Sequence, residues 1–208
     1  MPTSTIIDFD GTLVAENSTR VLEEVIFSEF FGHRRKVVGW LFFGGGKRAI
    51  NAVVVVLLRV TRRQIDWRFA LFLSFLGDTS SMDTDRVVAA TTKCLTVNHD
   101  LLAALEDVPE IAIISCGMTP VIRSLCEGLP RSTTLLAASS FSLDRDARRR
   151  TMLLEPSDKV SFLLRRPNEP YITDDGDEAR LVAAKMEGAT GTTFHVSRRY
   201  GFYVVTGE

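Results

Sequence analysis

Thr5-Ile6-Ile7-Asp8-Phe9-Asp10-Gly11-Thr12-Leu13 decides how this chain is read. A short continuous apolar run ending in acids and a glycine turn is the pattern of a buried strand whose carboxyl end carries chemistry. Two acids two residues apart on a strand point the same way, but Asp10 falls where the strand opens into the turn. One carboxylate is thereby placed to act as a nucleophile, and the other, slightly displaced, to handle protons. Alone, Asp-x-Asp reads equally as a polar strand end before an ordinary Asp-Gly turn; the added Gly11-Thr12 after a buried strand makes the pattern more specific.

Two further runs share this form. Ile111-Ala112-Ile113-Ile114-Ser115 ends in Cys116-Gly117, and Tyr171-Ile172-Thr173 ends in Asp174-Asp175-Gly176-Asp177. Weaker strand patterns cover Thr134 to Ala137 and Thr192 to Val196. Helical patterns lie between them, over His99 to Asp107, Thr119 to Glu127, Asp158 to Arg165 and Glu178 to Met186. Strands alternating with helices predict an α/β fold, a Rossmann-like three-layer core whose parallel sheet is covered on both faces. The three strands tipped with acids or serine are expected side by side at its centre, with a crevice at their carboxyl ends.

The rhythm breaks between about residues 15 and 95. Thr19 to Phe30 is helical in pattern, Gly44-Gly45-Gly46 separates two apolar stretches, and Val53 to Val56 is a β-branched run that fits either a strand or a buried helix. We expect residues 15–95 to form a helical insert after the first strand, within a core made of residues 1–14 and 96–208. From Phe31 to Arg68 the insert holds nine basic residues (Arg34, Arg35, Lys36, Lys47, Arg48, Arg59, Arg62, Arg63, Arg68) against one acid, Asp66. Trp40, Phe42, Phe43 and the Val53 run share this stretch. That composition suits a peripheral membrane contact or an amphiphilic phosphate such as a lipid phosphate. A buried helical hairpin with solvated arginines has the same composition.

Composition bounds the rest. The 208 residues suit one domain, or one domain plus an insert. At 45% hydrophobic and 25% charged the chain is neither disordered nor a disulfide miniprotein. With 25 Lys+Arg against 26 Asp+Glu there is no overall field to attract nucleic acid, and no nucleic-acid partner is expected. Cys94, Cys116 and Cys126 are odd in number and contain no CxxC, which points to reduced thiols and a cytoplasmic protein. The opening residues do not read as a secretory signal, because Asp8 and Asp10 interrupt the apolar run. Val37 to Phe43 and Ala52 to Leu58 fall short of the ~20 apolar residues that a spanning helix needs. His33, His99 and His195 are isolated, and Arg148-Arg149-Arg150 reads as a solvated turn.

The acids, Ser115 and Lys159 together resemble the four ordered motifs of the haloacid dehalogenase superfamily. Asp8-Phe9-Asp10-Gly11-Thr12 looks like its first motif, Ser115 its second, Lys159 its third, and Asp174-Asp175-Gly176-Asp177-Glu178 its acidic fourth. The likeness spans Asp8 to Glu178 and implies a phosphatase. In it Asp8 forms an aspartyl-phosphate, and Asp10 protonates the leaving oxygen and then takes a proton from water. It implies Mg²⁺ held by Asp8, the backbone carbonyl of Asp10, and Asp174. Ser115, the backbone at Cys116 and Lys159 would bind the phosphoryl group, with Glu178 and Asp175 as supporting acids. Taken singly, Ser115 fits a helix cap, Lys159 a solvated helix residue and Cys116 a small filler.

The resemblance also narrows the branch. An acid at position 10 points away from the dehalogenases, whose halide leaving group needs no proton, and from transport ATPases, which carry Thr there. The insert resembles the helical type 1 cap of the phosphoserine-phosphatase-like branch. Gly11 stands where phosphoserine phosphatases usually have Ser, and Asn17 where they have Glu, so the implied substrate is a small or amphiphilic phosphate ester rather than phosphoserine. A phosphomutase or phosphotransferase would carry the same motifs, and a non-catalytic binding module would keep the same fold.

Overall fold

The computed structural model describes residues 4–30, 35–61, 67–76, 83–140, 154, 156–185, 193–199 and 202–207. Its sheet is built from β1 (Ser4–Asp8), β2 (Glu110–Met118), β3 (Thr133–Ser139), β4 (Tyr171–Thr173), β5 (Thr193–Arg199) and β6 (Phe202–Gly207). They lie in the order β3-β2-β1-β4-β5-β6, with the first five parallel and β6 antiparallel to β5. The three tipped strands are therefore adjacent at the centre, as expected. From β1 the chain goes outward on one side through β2 and β3, then crosses to the other side at β4. That reversal between β1 and β4 is where open α/β sheets form their crevice.

The twofold alternation of a strand sorts side chains onto two faces. Ile6, Ala112 and Ile114 join one apolar cluster with Val160, Leu163 and Val182. These come from α8 (Pro156–Leu163) and α9 (Gly176–Lys185). Ile7, Ile111 and Ile113 face the opposite way, into a larger cluster. There they meet α1 (Ser18–Phe30), α5 (Thr84–Lys93), α6 (His99–Ala104) and α7 (Thr119–Glu127), through Leu22, Val87, Leu101 and Val121 among others. Helix, sheet and helix make the three layers.

Between β1 and β2 the regular elements of the described residues are all helices, besides isolated bridges that join Val14 to Asp10 and Val97. After α1 come α2 (Arg35–Val38), a π-helical turn Gly39–Phe43, α3 (Lys47–Thr61) and α4 (Trp67–Leu76), then α5 and α6. The chain's departure and return are joined. Ala15 N–H donates to Thr96 O at 3.0 Å, and Thr96 N–H donates to Glu16 Oε2 at 2.7 Å. Phe42 packs edge-on against Phe72 with ring centroids 5.3 Å apart, and both rings belong to the same core as the β1 and β2 residues.

Three expectations need adjustment. Val53 to Val56 is part of α3, yet it is not buried: Val53, Val55 and Val56 are exposed and only Val54 packs against the core. A β-branched run records propensity, not which side is covered. The helix from His99 stops at Ala104 rather than Asp107. Pro109 disfavours helix at Val108, and the Arg131 guanidinium takes up the carbonyls of Leu105, Glu106 and Val108. The last strand, Phe202–Gly207, was not anticipated, although Phe202-Tyr203-Val204-Val205-Thr206 is rich in strand formers. The basic turn at Arg148-Arg149-Arg150, His33, Arg34, Arg62, Arg63, Asp66 and the side chain of His195 lie outside the described residues.

Candidate active site

Register brings the motif residues level. Asp8 pairs with Ile114 on β2, placing Ser115 one step further along. Ile7 pairs with Ile172 on β4, so Asp8 stands beside Thr173 and Asp174 follows at once. Beyond Asp8 the chain turns sharply, with Leu13 and Val14 N–H both donating to Phe9 O at 3.0 Å. Gly11 makes this turn with φ +76°, and a Cβ there would lie 2.1 Å from Asp174 Oδ2. Both the left-handed backbone and the close approach of Asp174 demand glycine.

Lys159 is the centre of the charge arrangement. Its Nζ lies 2.8 Å from Asp8 Oδ2 and 3.2 Å from Glu178 Oε2, and all three side chains are buried. The other Asp8 oxygen accepts from Phe9 N–H at 2.7 Å. Burial pushes the Asp8 carboxyl up to about 7, against the pull of Lys159. The two carboxylates raise Lys159 despite its burial, so it remains an ammonium. Tyr171 OH donates to Glu178 Oε1, fixing that acid from β4. Lys159 is therefore not a solvated helix residue.

On the other side of Asp8, Asp10 Oδ1 accepts from Ser18 N–H at 2.8 Å. Burial raises the Asp10 carboxyl, and Ser18 opposes the rise. Ser18 Oγ is buried close enough to be felt by Asp10, yet no hydrogen bond of good geometry satisfies it. Gly117 sits where these groups converge. A Cβ on it would meet Ser18 Oγ at 2.7 Å, Asp10 Oδ2 at 3.0 Å and Ser115 Oγ at 3.2 Å. Ser115 Oγ accepts from Gly117 N–H at 2.9 Å, while α7 begins after Met118 without a side-chain cap, so Ser115 is no cap for that helix. Between Ile114↔Ala137 and Met118↔Ser139 the β2–β3 register shifts, four residues of β2 advancing against two of β3. Such a bulge re-aims groups beside a site. Burial pushes the Cys116 thiol up to about 12, so it stays neutral; its carbonyl accepts from Ser139 Oγ at 2.7 Å.

Asp174 is held by Thr12. Thr12 Oγ1 accepts from Asp174 N–H at 2.8 Å and donates to Asp174 Oδ1 at 3.2 Å, and burial raises the carboxyl. Asp175 has a structural task, accepting from Asp177 and Glu178 N–H to cap α9. Thr173 accepts from Asp175 N–H in the same turn. Asn17 likewise caps α1, accepting from Arg20 N–H. Among the described residues no three acid, histidine or cysteine side chains converge as a ready cation cluster. The donor chemistry nonetheless fits a hard cation. Asp8 and Asp174 stand at the ends of adjacent strands and offer carboxylate oxygens, the donors such a cation takes; the resemblance adds the backbone carbonyl of Asp10. Asp8, Asp10, Asp174 and Glu178 set four carboxyls around Lys159, so the cluster carries an excess of acid that a divalent cation would balance.

The sequence pattern missed Tyr171, Ser18, Thr12 and Gly117. Tyr171 read as strand, Thr12 as part of the first motif without a task of its own, and Ser18 carried no signal; only the ends of the strands meeting in space give them their partners. Next to Ser18, Asn17 enters the wall of a cavity of about 430 Å³ within the helical segment, whose other lining residues include Leu41, Phe42, Lys47, Ile50 and Arg68. Arg68 forms an ion pair there with the fully buried Glu23.

No protein-family model and no curated protein sequence matches the chain. Solved structures do. A HAD family hydrolase from Salmonella enterica subsp. enterica serovar Typhi is 15% identical over 90% of this chain and 60% of its own, with a TM-score of 0.50. A probable phosphoserine phosphatase from Vibrio cholerae, in unliganded form, is 17% identical over 93% of this chain and 56% of its own, with a TM-score of 0.53. A phospho-aspartyl intermediate analogue of phosphoserine phosphatase is 13% identical over 90% and 83%, with a TM-score of 0.51. The chain thus spans less than two thirds of the first two. At such identities the likeness establishes a shared fold.

Proposed function

Taking the haloacid dehalogenase-type fold as premise, we propose that this chain is a Mg²⁺-dependent phosphomonoester hydrolase that works through Asp8. The observation carrying this reading is the buried Asp8–Lys159–Glu178 array at the point where the sheet order reverses, facing Asp10, Ser115 and Asp174. Lys159 holds the buried Asp8 carboxyl in place and favours its charged form against burial, the form a nucleophile needs. Asp8 attacks phosphorus, the bond from phosphorus to the ester oxygen breaks, and an aspartyl-phosphate forms. Asp10 gives its proton to the departing oxygen. It then takes one from the water that cleaves the acyl-phosphate, which releases phosphate and restores Asp8. The raised proton affinity of Asp10 suits both halves. Its Oδ2, on the Gly117 side, is the oxygen not engaged by Ser18 N–H.

Ser115, the backbone amides of the bulge through Cys116 and Gly117, and Lys159 supply positive character for the phosphoryl oxygens. Asp8, Asp174 and the Asp10 carbonyl would hold Mg²⁺, which when bound offsets repulsion between phosphate and carboxylates. Glu178 holds Lys159 in place, and Asp175 acts through the cap of α9. The helical segment, residues 15–95, serves as a substrate-selecting cap. The hydrogen bonds joining Ala15 and Glu16 to Thr96 support that boundary. Its cavity pairs an apolar wall (Leu41, Phe42, Ile50) with Lys47 and Arg68, which suits the leaving group of a small or amphiphilic phosphate ester. The three free thiols fit the reducing cytoplasm.

Phosphate release from p-nitrophenyl phosphate and a panel of phosphometabolites, with Mg²⁺ or EDTA, tests the reading. Metal-dependent release by wild type, abolished by Asp8→Asn, is expected. Silence across the panel would overturn it, and transfer of the phosphoryl group to a second alcohol in place of release would make the enzyme a phosphotransferase.

A further inference from the structure

We propose that the outer face of α2, the π-helical turn and α3 docks on the surface of an anionic lipid bilayer. Six large apolar side chains stand exposed here: Val37 (58%), Trp40 (59%), Val53 (47%), Val55 (44%), Val56 (57%) and Val60 (76%). Elsewhere among the described residues only Leu164 and Leu181 are exposed to a like degree. Scattered exposed apolar residues need no explanation, but six within the short stretch from Val37 to Val60, four of them on α3, do. Ile50 and Val54 turn α3's inner side toward the core. Val53, Val56 and Val60 follow at spacings of three and four, one outer stripe that adds nothing to the core.

Charge selects the occupant. Residues 35–61 carry Arg35, Lys36, Lys47, Arg48 and Arg59 and no acid at all. At 100° per residue, Arg48 and Arg59 fall together along one side of the valine stripe rather than on it. A second copy seated on the same face would bring ten such cations together with no acid from either segment. An anionic bilayer instead attracts the cations while its acyl boundary receives the valines, and Trp40 suits the headgroup level. The helices lie on the surface and do not span it. No single described helix is long and apolar enough to cross, and Arg35–Phe43 and Lys47–Leu57 meet at 72°. Phe42 and Ile50, their inner residues, are committed to the protein core.

Co-sedimentation with vesicles of phosphatidylcholine alone, or mixed with phosphatidylglycerol, tests this at about 50 mM and about 300 mM salt. Wild type is expected to bind only the anionic vesicles, and less at the higher salt. Removing both flanking charges in Arg48→Gln/Arg59→Gln lowers binding about 25-fold, at about fivefold per charge. Val56→Asp/Val60→Asp abolishes it while circular dichroism stays native, since both side chains are exposed. Asp8→Asn binds as wild type does, so this inference and the catalytic one fail separately. No binding to anionic vesicles at low salt, binding unmoved by either double variant, or a dimer in solution that Val56→Asp/Val60→Asp dissociates would each overturn it.

Discussion

Lys159 Nζ lies 2.8 Å from Asp8 Oδ2, so a helix near the chain's end supplies the cation for an acid near its beginning. The same ammonium serves Glu178. Removing it leaves two buried carboxyls without a cation. Lys159→Met is therefore expected to cost about 3–5 kcal/mol in urea unfolding, besides abolishing phosphate release. The double variant Asp8→Asn/Lys159→Met should regain part of that stability. An additive double variant would show that the pair is uncoupled.

Gly11→Ala is expected to stop turnover with the remaining fold intact. The left-handed backbone at φ +76° costs a non-glycine residue about 1–2 kcal/mol. A Cβ 2.1 Å from Asp174 Oδ2 must also displace that carboxylate. Thermal unfolding should fall by several degrees, and activity by more than about a hundredfold, if the Asp174 carboxylate is needed in place. Unchanged activity would mean that it is not.

Ser18→Ala separates a structural hydroxyl from a functional one. The Oγ is buried without a satisfied hydrogen bond, so its removal leaves stability unchanged or raises it by about 1 kcal/mol. Its place beside Asp10 Oδ2 and Ser115 Oγ predicts roughly tenfold slower phosphate release. A variant equal to wild type in both would remove Ser18 from the site.

Asp174→Asn keeps the shape and removes one charge from the proposed cation site. Mg²⁺ should then be needed at about 10–100-fold higher concentration for half-maximal activity, while thermal unfolding without metal changes little. Thr12→Val is expected to shift the Mg²⁺ requirement the same way by a smaller factor, because Thr12 Oγ1 only positions Asp174. A metal requirement unmoved by Asp174→Asn would place the cation elsewhere.

Much of the fold was legible locally. Ile6-Ile7 before Asp8, and Ile111 to Ile114 before Ser115, state a buried strand within a few residues, and Thr119–Glu127 matches its expected span end to end. The β-branched residues of α3 show the limit. Helical spacing reveals that Ile50 and Val54 share one side and Val53, Val56 and Val60 another, but not which side meets protein. Both are apolar, and only the packing of Phe42, Phe69 and Phe72 decides.

The sequence by itself determined that an acid ends the first strand and another follows the fourth, that a serine lies toward the end of the second, and that the elements alternate as a parallel α/β sheet demands. These follow from φ/ψ preference and from periods of two and 3.6, which act over a few residues. Tertiary structure alone decided that Tyr171 and Lys159 share Glu178, that Ser18 and Gly117 close around Asp10, and that Asp174 leaves no room at Gly11 for any side chain. Those relations join residues far apart along the chain. Burial, desolvation and hydrogen-bond partnership are set by what the sheet register brings together, and no short stretch of chain contains that information.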